Sequence, residues 1–256
     1  MHTVTVQGRR LEFVRLSSAH PRHGAPSIVF LHEGLGSVSM WRDFPQRVAD
    51  ATGCEAIVYS RYGYGRSDRL EAPFTVGYMH DEALLALPEF LDKLAVERPI
   101  LLGHSDGGSI ALIHAGGAQR PVRAVIALAP HVLVEDLSVA SIAKAKVAWQ
   151  TTDLPQRLGR YHDHVEATFR GWNDIWLHPD FRAWNIEAYL PAISAPILAI
   201  QGEDDEYGTL DQIERIARQA KDVDLVKLAD CRHSPHKDQP EAVLAAIGDY
   251  VARLLD

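Results

Sequence analysis

The sequence predicts an α/β protein in which helices cover a mostly parallel sheet. Short apolar runs rich in β-branched residues alternate with longer segments of helical periodicity along most of the 256 residues. Most of these runs are continuously apolar, which is typical of strands buried on both faces. With 46% apolar residues, a chain of this length can form one large domain with its own core.

The predicted strands begin with a hairpin, because HTVTVQ and LEFVRL flank a Gly-Arg-Arg turn around Gly8. Six further strand-like runs follow: SIVFLH, EAIVYS, PILLGHS, RAVIALAP, PILAIQGEDD and VDLVKLAD. Five helical patterns accompany them: WRDFPQRVADAT, YMHDEALLALPEFLDKLAV, GGSIALIHAGGA, LDQIERIARQAKD and QPEAVLAAIGDYVARLLD. This alternation predicts parallel strands joined by helical crossovers.

One region, residues 131–191, shows helical periodicity and contains no strand-like run. We therefore divide the chain into a core of residues 1–130 and 192–256 and a helical insertion. The insertion holds four of the five tryptophans and follows a strand end, where α/β sheets place their ligands. It is predicted to be a lid over a binding cleft; the alternative is that it only extends the core. Trp172 and Trp176 share a helix face, and at least one is expected to line an enclosed apolar pocket.

Composition excludes several classes of function. The net charge is −8 and the sequence contains no stripe of basic residues, which disfavours binding to nucleic acid or to anionic membranes. Two cysteines are too few for a disulfide framework, and no segment resembles a signal peptide or a membrane span. We therefore expect a cytoplasmic protein with a small-molecule substrate. The sequence leaves a homodimer open.

The strongest motif is Gly103-His104-Ser105-Asp106-Gly107, which matches G-x-S-x-G between a strand and a helix. In this context the serine occupies a tight turn that exposes its hydroxyl, and the glycines avoid collisions with neighbouring backbone. The helix N-terminus adds a positive dipole beside the hydroxyl. Ser105 is therefore predicted to be a nucleophile, which requires a base and an orienting acid. Acids follow the seventh strand and histidines follow the eighth, on the same edge of the sheet.

The whole chain resembles the α/β-hydrolase superfamily. The matching segments are FLHEGLGSVSMW, SRYGYGRSD, the serine turn, GEDD and RHSPHKDQPEAV. The resemblance implies His233 rather than His236 as the base and Asp205 as the acid, with Asp204 as its rival. Glu135 and Asp136, after the sixth strand, are a second place for the acid in some members. Arg232 stands where a glycine is usual, so this loop can bend differently.

The resemblance also assigns the oxyanion hole to the backbone N–H groups of Gly34 and Asp106. In the turn His32-Glu33-Gly34, Glu33 replaces a usual glycine. Its carboxylate is either a solvated loop group or a polar group that reaches the mouth of the pocket. Because the residue at position 105 is a serine, the chain departs from the dehalogenase and epoxide-hydrolase branches, which use an aspartate nucleophile.

Asp106 allows two interpretations. An acid at a helix N-terminus is favourable through the macrodipole by about 0.3 to 1 kcal/mol. However, SDGG, with GLGS at residues 34–37, resembles valacyclovir hydrolase and its relatives, in which the acid after the nucleophile meets the α-amino group of an aminoacyl ester. Asp106 is then a substrate-binding residue, together with Glu33, Trp172 and Trp176.

Other clusters of polar residues give weaker evidence of a functional site. The clusters His162/His164 and Cys231/His233/His236 have no recognised zinc spacing, and YGYGRS has no phosphate-loop lysine. We expect neither a metal nor an organic cofactor. The predicted function is hydrolysis of a small carboxylic ester, which the sequence does not separate from thioester, lactone, activated-amide or carbon–carbon cleavage. A non-catalytic ligand receptor on the same fold also remains open.

Overall fold

The computed structural model describes residues 1–256 and contains one eight-stranded sheet. The strands are β1 (His2–Val6), β2 (Arg9–Leu16), β3 (Ile28–Leu31), β4 (Ala56–Tyr59), β5 (Ile100–His104), β6 (Ala124–Leu128), β7 (Ile197–Gly202) and β8 (Val223–Leu228). Their spatial order is β1-β2-β4-β3-β5-β6-β7-β8. β1 and β2 pair antiparallel, β2 joins β4 antiparallel, and all later pairs are parallel. The predicted fold class is confirmed.

Ten α-helices surround this sheet. They are α1 (Phe44–Thr52), α2 (Tyr78–Asp81), α3 (Leu87–Lys93), α4 (Asp106–Gly117), α5 (Asp136–Thr151), α6 (Leu154–Leu158), α7 (Val165–Trp176), α8 (Asp211–Gln219), α9 (Pro235–Asp238) and α10 (Pro240–Leu255). The pattern predicted as one helix, YMHDEALLALPEFLDKLAV, is divided, because residues 82–86 form a π-helical turn between α2 and α3. None of the helices is long and apolar enough to cross a membrane.

The core lies on both faces of the sheet, as continuous apolar strands require. Along β3, Val29 and Leu31 belong to a cluster of 39 buried residues, whereas Ile28 and Phe30 belong to one of 21 on the other face. All four side chains are fully buried. The burial of both faces explains why these strands show no polar alternation.

Between β6 and β7, residues 131–191 contain α5, α6, α7 and the 3-10 segment Pro179–Ala183, and a second 3-10 segment, Glu187–Ala192, ends one residue later. Their only extended pairing is an isolated bridge between Leu133 and Asn185. The helix α7 buries one face, including Phe169, Trp172 and Trp176. This segment lies at the edge of the sheet where β5 to β8 end, so the topology brings α7 over the serine turn.

Candidate active site

Ser105 occupies a strained turn between β5 and α4. Its backbone angles, φ 52° and ψ −120°, are rare for a residue with a side chain. A Cβ atom on Gly103 would overlap the carbonyl of Gly107, and one on Gly107 would overlap the carbonyl of Leu31. The two glycines therefore allow the turn to pack against the sheet while the serine projects from it.

His233 follows β8 and contacts the serine from the neighbouring loop. Its Nε2 lies 2.9 Å from Ser105 Oγ, a distance at which the hydroxyl donates a hydrogen bond to the ring nitrogen. The rival histidine, His236, is instead buried against Trp41 and Phe44, with ring centroids 4.9 and 5.3 Å away. Burial holds the pKa of His236 well below its ordinary value. Only His233 has the geometry of a base for Ser105.

Asp205, in the loop after β7, accepts a hydrogen bond from the other ring nitrogen of His233. His233 Nδ1 lies 2.8 Å from Asp205 Oδ1 and 3.0 Å from Oδ2. The backbone N–H groups of Tyr207 and Gly208 and the side-chain amide of Gln201 also donate to the carboxylate, at 2.8, 3.2 and 3.0 Å. Burial favours the neutral acid, but the hydrogen bond and charge of His233 outweigh it and lower the pKa of Asp205.

The other predicted positions for the acid do not reach the imidazole. Asp204 is exposed, and only its backbone N–H is bonded, to the carbonyl of Cys231. Glu135 accepts hydrogen bonds from Thr209 and Gln212, and Asp136 pairs with Arg182. Among these acids, Asp205 alone contacts His233.

Two backbone N–H groups beside the serine have no acceptor within the protein. Gly34 lies in the loop after β3, and its N–H makes no hydrogen bond. Asp106 is the first residue of α4, where an N–H has no intrahelical partner. Both residues line a pocket of about 180 Å³ together with Ser105. A Cβ on Gly34 would overlap the indole of Trp172, so this loop packs directly beneath α7.

Glu33 reaches the mouth of this pocket, and its side chain is only 15% exposed. The carboxylate lies 3.4 Å from Lys237 Nζ and 3.5 Å from His104 Nδ1. Burial opposes its ionisation, but Lys237 and His104 hold the pKa of Glu33 well below its ordinary value. His104 in turn donates from Nε2 to the carbonyl of His233, at 2.7 Å. Glu33 therefore supports the histidine loop and is not a solvated loop acid.

The Asp106 side chain is 1% exposed and only partly paired. Tyr78 donates its hydroxyl to Oδ2 at 2.6 Å, and an Arg61 nitrogen lies 3.9 Å from the same oxygen. Oδ1 has no hydrogen-bond partner. Burial raises the pKa of Asp106, although Arg61 and Tyr78 act in the opposite direction. The carboxylate therefore does more than begin a helix, since Oδ2 is anchored by Tyr78 and Oδ1 is buried without a partner in a residue that lines the pocket.

The walls of the pocket are more polar than the sequence suggested. Trp172, Trp176 and Ile142 supply the apolar surface predicted from the insertion, but His131 and Tyr207 also line it. Burial lowers the pKa of His131 to about 3, so its ring is neutral at neutral pH. Sequence reasoning missed His131, Tyr78 and Gln201, because single polar residues at strand ends and in helices carry no distinctive local pattern. No group of three or more His, Cys, Asp or Glu side chains is arranged to hold a metal ion.

Sequence comparison matches this chain to one protein family and to named relatives. The sequence profile of the Alpha/beta hydrolase family matches residues 28–246. A relative from Variovorax paradoxus, named "Putative carbamate hydrolase RutD", is 26% identical over 249 residues, which cover 88% of this chain and 92% of the relative. The narrower resemblance to valacyclovir hydrolase is not shown by these comparisons.

Solved structures agree with this chain over nearly its whole length. The enol-lactonase from Burkholderia xenovorans LB400 has a TM-score of 0.77 at 20% identity and covers 98% of this chain and 100% of its own. A proline iminopeptidase from Mycobacterium smegmatis has a TM-score of 0.80 at 19% identity, with coverages of 99% and 98%. At these identities the likeness establishes the fold.

Proposed function

Because this chain belongs to the alpha/beta hydrolase family, we propose that it is a serine hydrolase that cleaves small carboxylic esters through an acyl-enzyme. One observation carries the proposal: an unbroken chain of hydrogen bonds from Ser105 Oγ through His233 to the Asp205 carboxylate. In this order the bonds activate a hydroxyl, because the base accepts its proton and the acid stabilises the resulting imidazolium.

The reaction follows from these positions. Ser105 Oγ attacks the ester carbonyl, and its proton moves to His233 Nε2. The negative charge on the tetrahedral oxygen is stabilised by the N–H groups of Gly34 and Asp106, each worth about 3 to 4 kcal/mol. His233 then gives its proton to the departing alcohol, which leaves an acyl group on Ser105. A water molecule repeats the sequence, releases the acid and restores the serine.

The substrate we propose is small, and its acyl part carries a hydrogen-bond donor. The pocket of about 180 Å³ lies below the range of about 300 to 1,000 Å³ that is typical of ligand pockets, which suits a short acyl group rather than a lipid chain. The free Oδ1 of Asp106 would accept a hydrogen bond from an amino or hydroxyl group beside the scissile carbonyl. Because Arg61 already offsets part of the carboxylate charge, a neutral donor suits the position as well as an ammonium group.

Two relatives widen the range of scissile bonds. The named carbamate hydrolase and the enol-lactonase act on bonds that the same serine, histidine and aspartate could attack. A carbamate carries a nitrogen on its carbonyl carbon, and an N–H there is a donor of the kind proposed for Asp106 Oδ1. Lactone and carbamate cleavage are therefore alternatives to simple ester hydrolysis in this pocket.

A substrate panel tests the proposed function. Short acyl esters, an aminoacyl ester, a thioester, a lactone and a long-chain ester are compared for steady-state turnover. We expect sustained hydrolysis of a short substrate, a loss of at least about 10⁴-fold in Ser105→Ala, and labelling of Ser105 alone by a fluorophosphonate. A single burst without turnover would favour a ligand receptor. Faster cleavage of the long-chain ester would contradict the pocket size.

A further inference from the structure

A surface cavity of about 580 Å³ lies at the opposite end of the sheet from Ser105. Three of its lining residues stand just before parallel strands. Arg98 lies two residues before β5, Arg123 directly precedes β6, and Pro196 directly precedes β7. Because the three strands are parallel, the cavity is at their amino ends, whereas Ser105 follows the carboxyl end of β5. The cavity is therefore separate from the candidate active site.

All the charged side chains that line this cavity are arginines: Arg98, Arg120, Arg123 and Arg253. No aspartate or glutamate is among the fourteen lining residues, although the chain has 34 acids and a net charge of −8. The cavity thus concentrates positive charge in an acidic protein, which favours an anionic ligand.

The charges of two arginines are offset by acids outside the cavity. Arg120 pairs with Asp92 and also donates to the carbonyl of Val96. Arg253 pairs with Asp224. These two arginines therefore contribute little net charge to the cavity.

The other two arginines have no acidic partner. Arg123 donates to the carbonyl of Leu254, a neutral acceptor. The side chain of Arg98 makes neither a hydrogen bond nor an ion pair, and it is exposed at the rim. About two positive charges therefore remain uncompensated around the cavity.

We propose that this cavity binds a compact anion that carries two phosphate groups. The planar guanidinium group donates paired hydrogen bonds that match phosphate oxygens, and several arginines can share a doubly charged ligand. The wall between the arginines consists of small side chains such as Ala115, Ala118 and Ala195, and no aromatic residue is present. A nucleobase would find no ring to stack on, so recognition rests on the phosphates.

Titration calorimetry with inorganic pyrophosphate at about 0.15 M salt tests this site, with orthophosphate and citrate as comparison ligands. We expect saturable binding of one pyrophosphate per chain and weaker binding of orthophosphate. Arg98→Glu should weaken pyrophosphate binding by about tenfold or more, because it replaces a charged donor by a repelling charge. Since the Arg98 side chain has no protein partner, this variant is expected to fold normally, as an unchanged Tm would verify.

Arg160→Glu is the matched control, because Arg160 is exposed, does not line the cavity, and has a side chain that makes neither a hydrogen bond nor an ion pair. It changes the net charge equally and should leave pyrophosphate binding intact. Equal loss in both variants would show a general charge effect and overturn the site. No saturable binding, or tighter binding of citrate than of pyrophosphate, would also overturn the proposal. The measurement needs no substrate, so its outcome is independent of the proposed hydrolase activity.

Discussion

Replacing Asp205 by asparagine isolates the role of its charge while nearly preserving its shape. The N–H groups of Tyr207 and Gly208 both donate to Oδ1, so the asparagine oxygen is expected to stay at that position. The new NH₂ group then takes the place of Oδ2, 3.0 Å from the Gln201 amide nitrogen and 3.0 Å from His233 Nδ1. A donor would therefore face two donors.

The imidazole can relieve this conflict by changing its tautomer. With Nδ1 as acceptor for the asparagine NH₂, the proton of His233 moves to Nε2, which faces Ser105 Oγ. That nitrogen no longer accepts the serine proton. We therefore expect kcat to fall by about 10⁴-fold, which corresponds to about 5.5 kcal/mol of transition-state stabilisation. Loss of the Gln201 bond is expected to reduce the free energy of unfolding by about 1 to 3 kcal/mol.

The assay measures kcat and KM for a short chromogenic ester, together with urea denaturation of each variant. Asp204→Asn is the control, because Asp204 is adjacent and exposed and its side chain makes neither a hydrogen bond nor an ion pair. It removes the same charge and should retain most of the activity. The reasoning is refuted if Asp205→Asn keeps kcat within about tenfold of the wild type, or if both variants lose activity equally.

Three further predictions follow from the same site. His233→Ala should abolish ester turnover, whereas His236→Ala, which alters packing around Trp41, should retain most of it; the reverse result would move the base. Because the pKa of Glu33 is depressed, its stabilising effect should be present above its ordinary value of 4.5 and be lost as pH falls through the lower folded value. Urea denaturation of Glu33→Gln against the wild type should therefore show a difference at neutral pH that shrinks in acid, and a constant difference would contradict the shift. Asp106→Ala should reduce kcat/KM for an aminoacyl ester more than for its des-amino analogue, by about tenfold for each 1.4 kcal/mol of lost contact. An equal effect on both esters would limit Asp106 to its backbone N–H and its place in the helix.

Much of the fold was predictable, because secondary structure and burial leave local periodic signals. The eight strands, the antiparallel hairpin and the helical segment before β7 follow from apolar runs and turn residues. The division of the helix after Gly77 was not predicted, although Pro88, which has no backbone N–H to donate, stands at the start of α3. The meeting of Ser105 with the histidine loop after β8 was also predictable, because parallel strands bring their carboxyl ends to one edge, whereas the choice of His233 over His236 rested on the family resemblance.

The sequence by itself indicated the serine turn, since Gly103 and Gly107 lie two positions on either side of Ser105 and a strand-like run and a helical pattern flank them. Only the tertiary structure decided what Asp106 and Glu33 contact. Asp106 meets Tyr78, 28 residues earlier, and Glu33 meets Lys237, 204 residues later. The arginine cavity likewise joins residues that precede three different strands with residues near the end of α10. Local sequence patterns indicate which side chains of an element are buried. The partner of a buried charge depends instead on how distant segments pack, and this packing decides whether the charge is paired or available to a ligand.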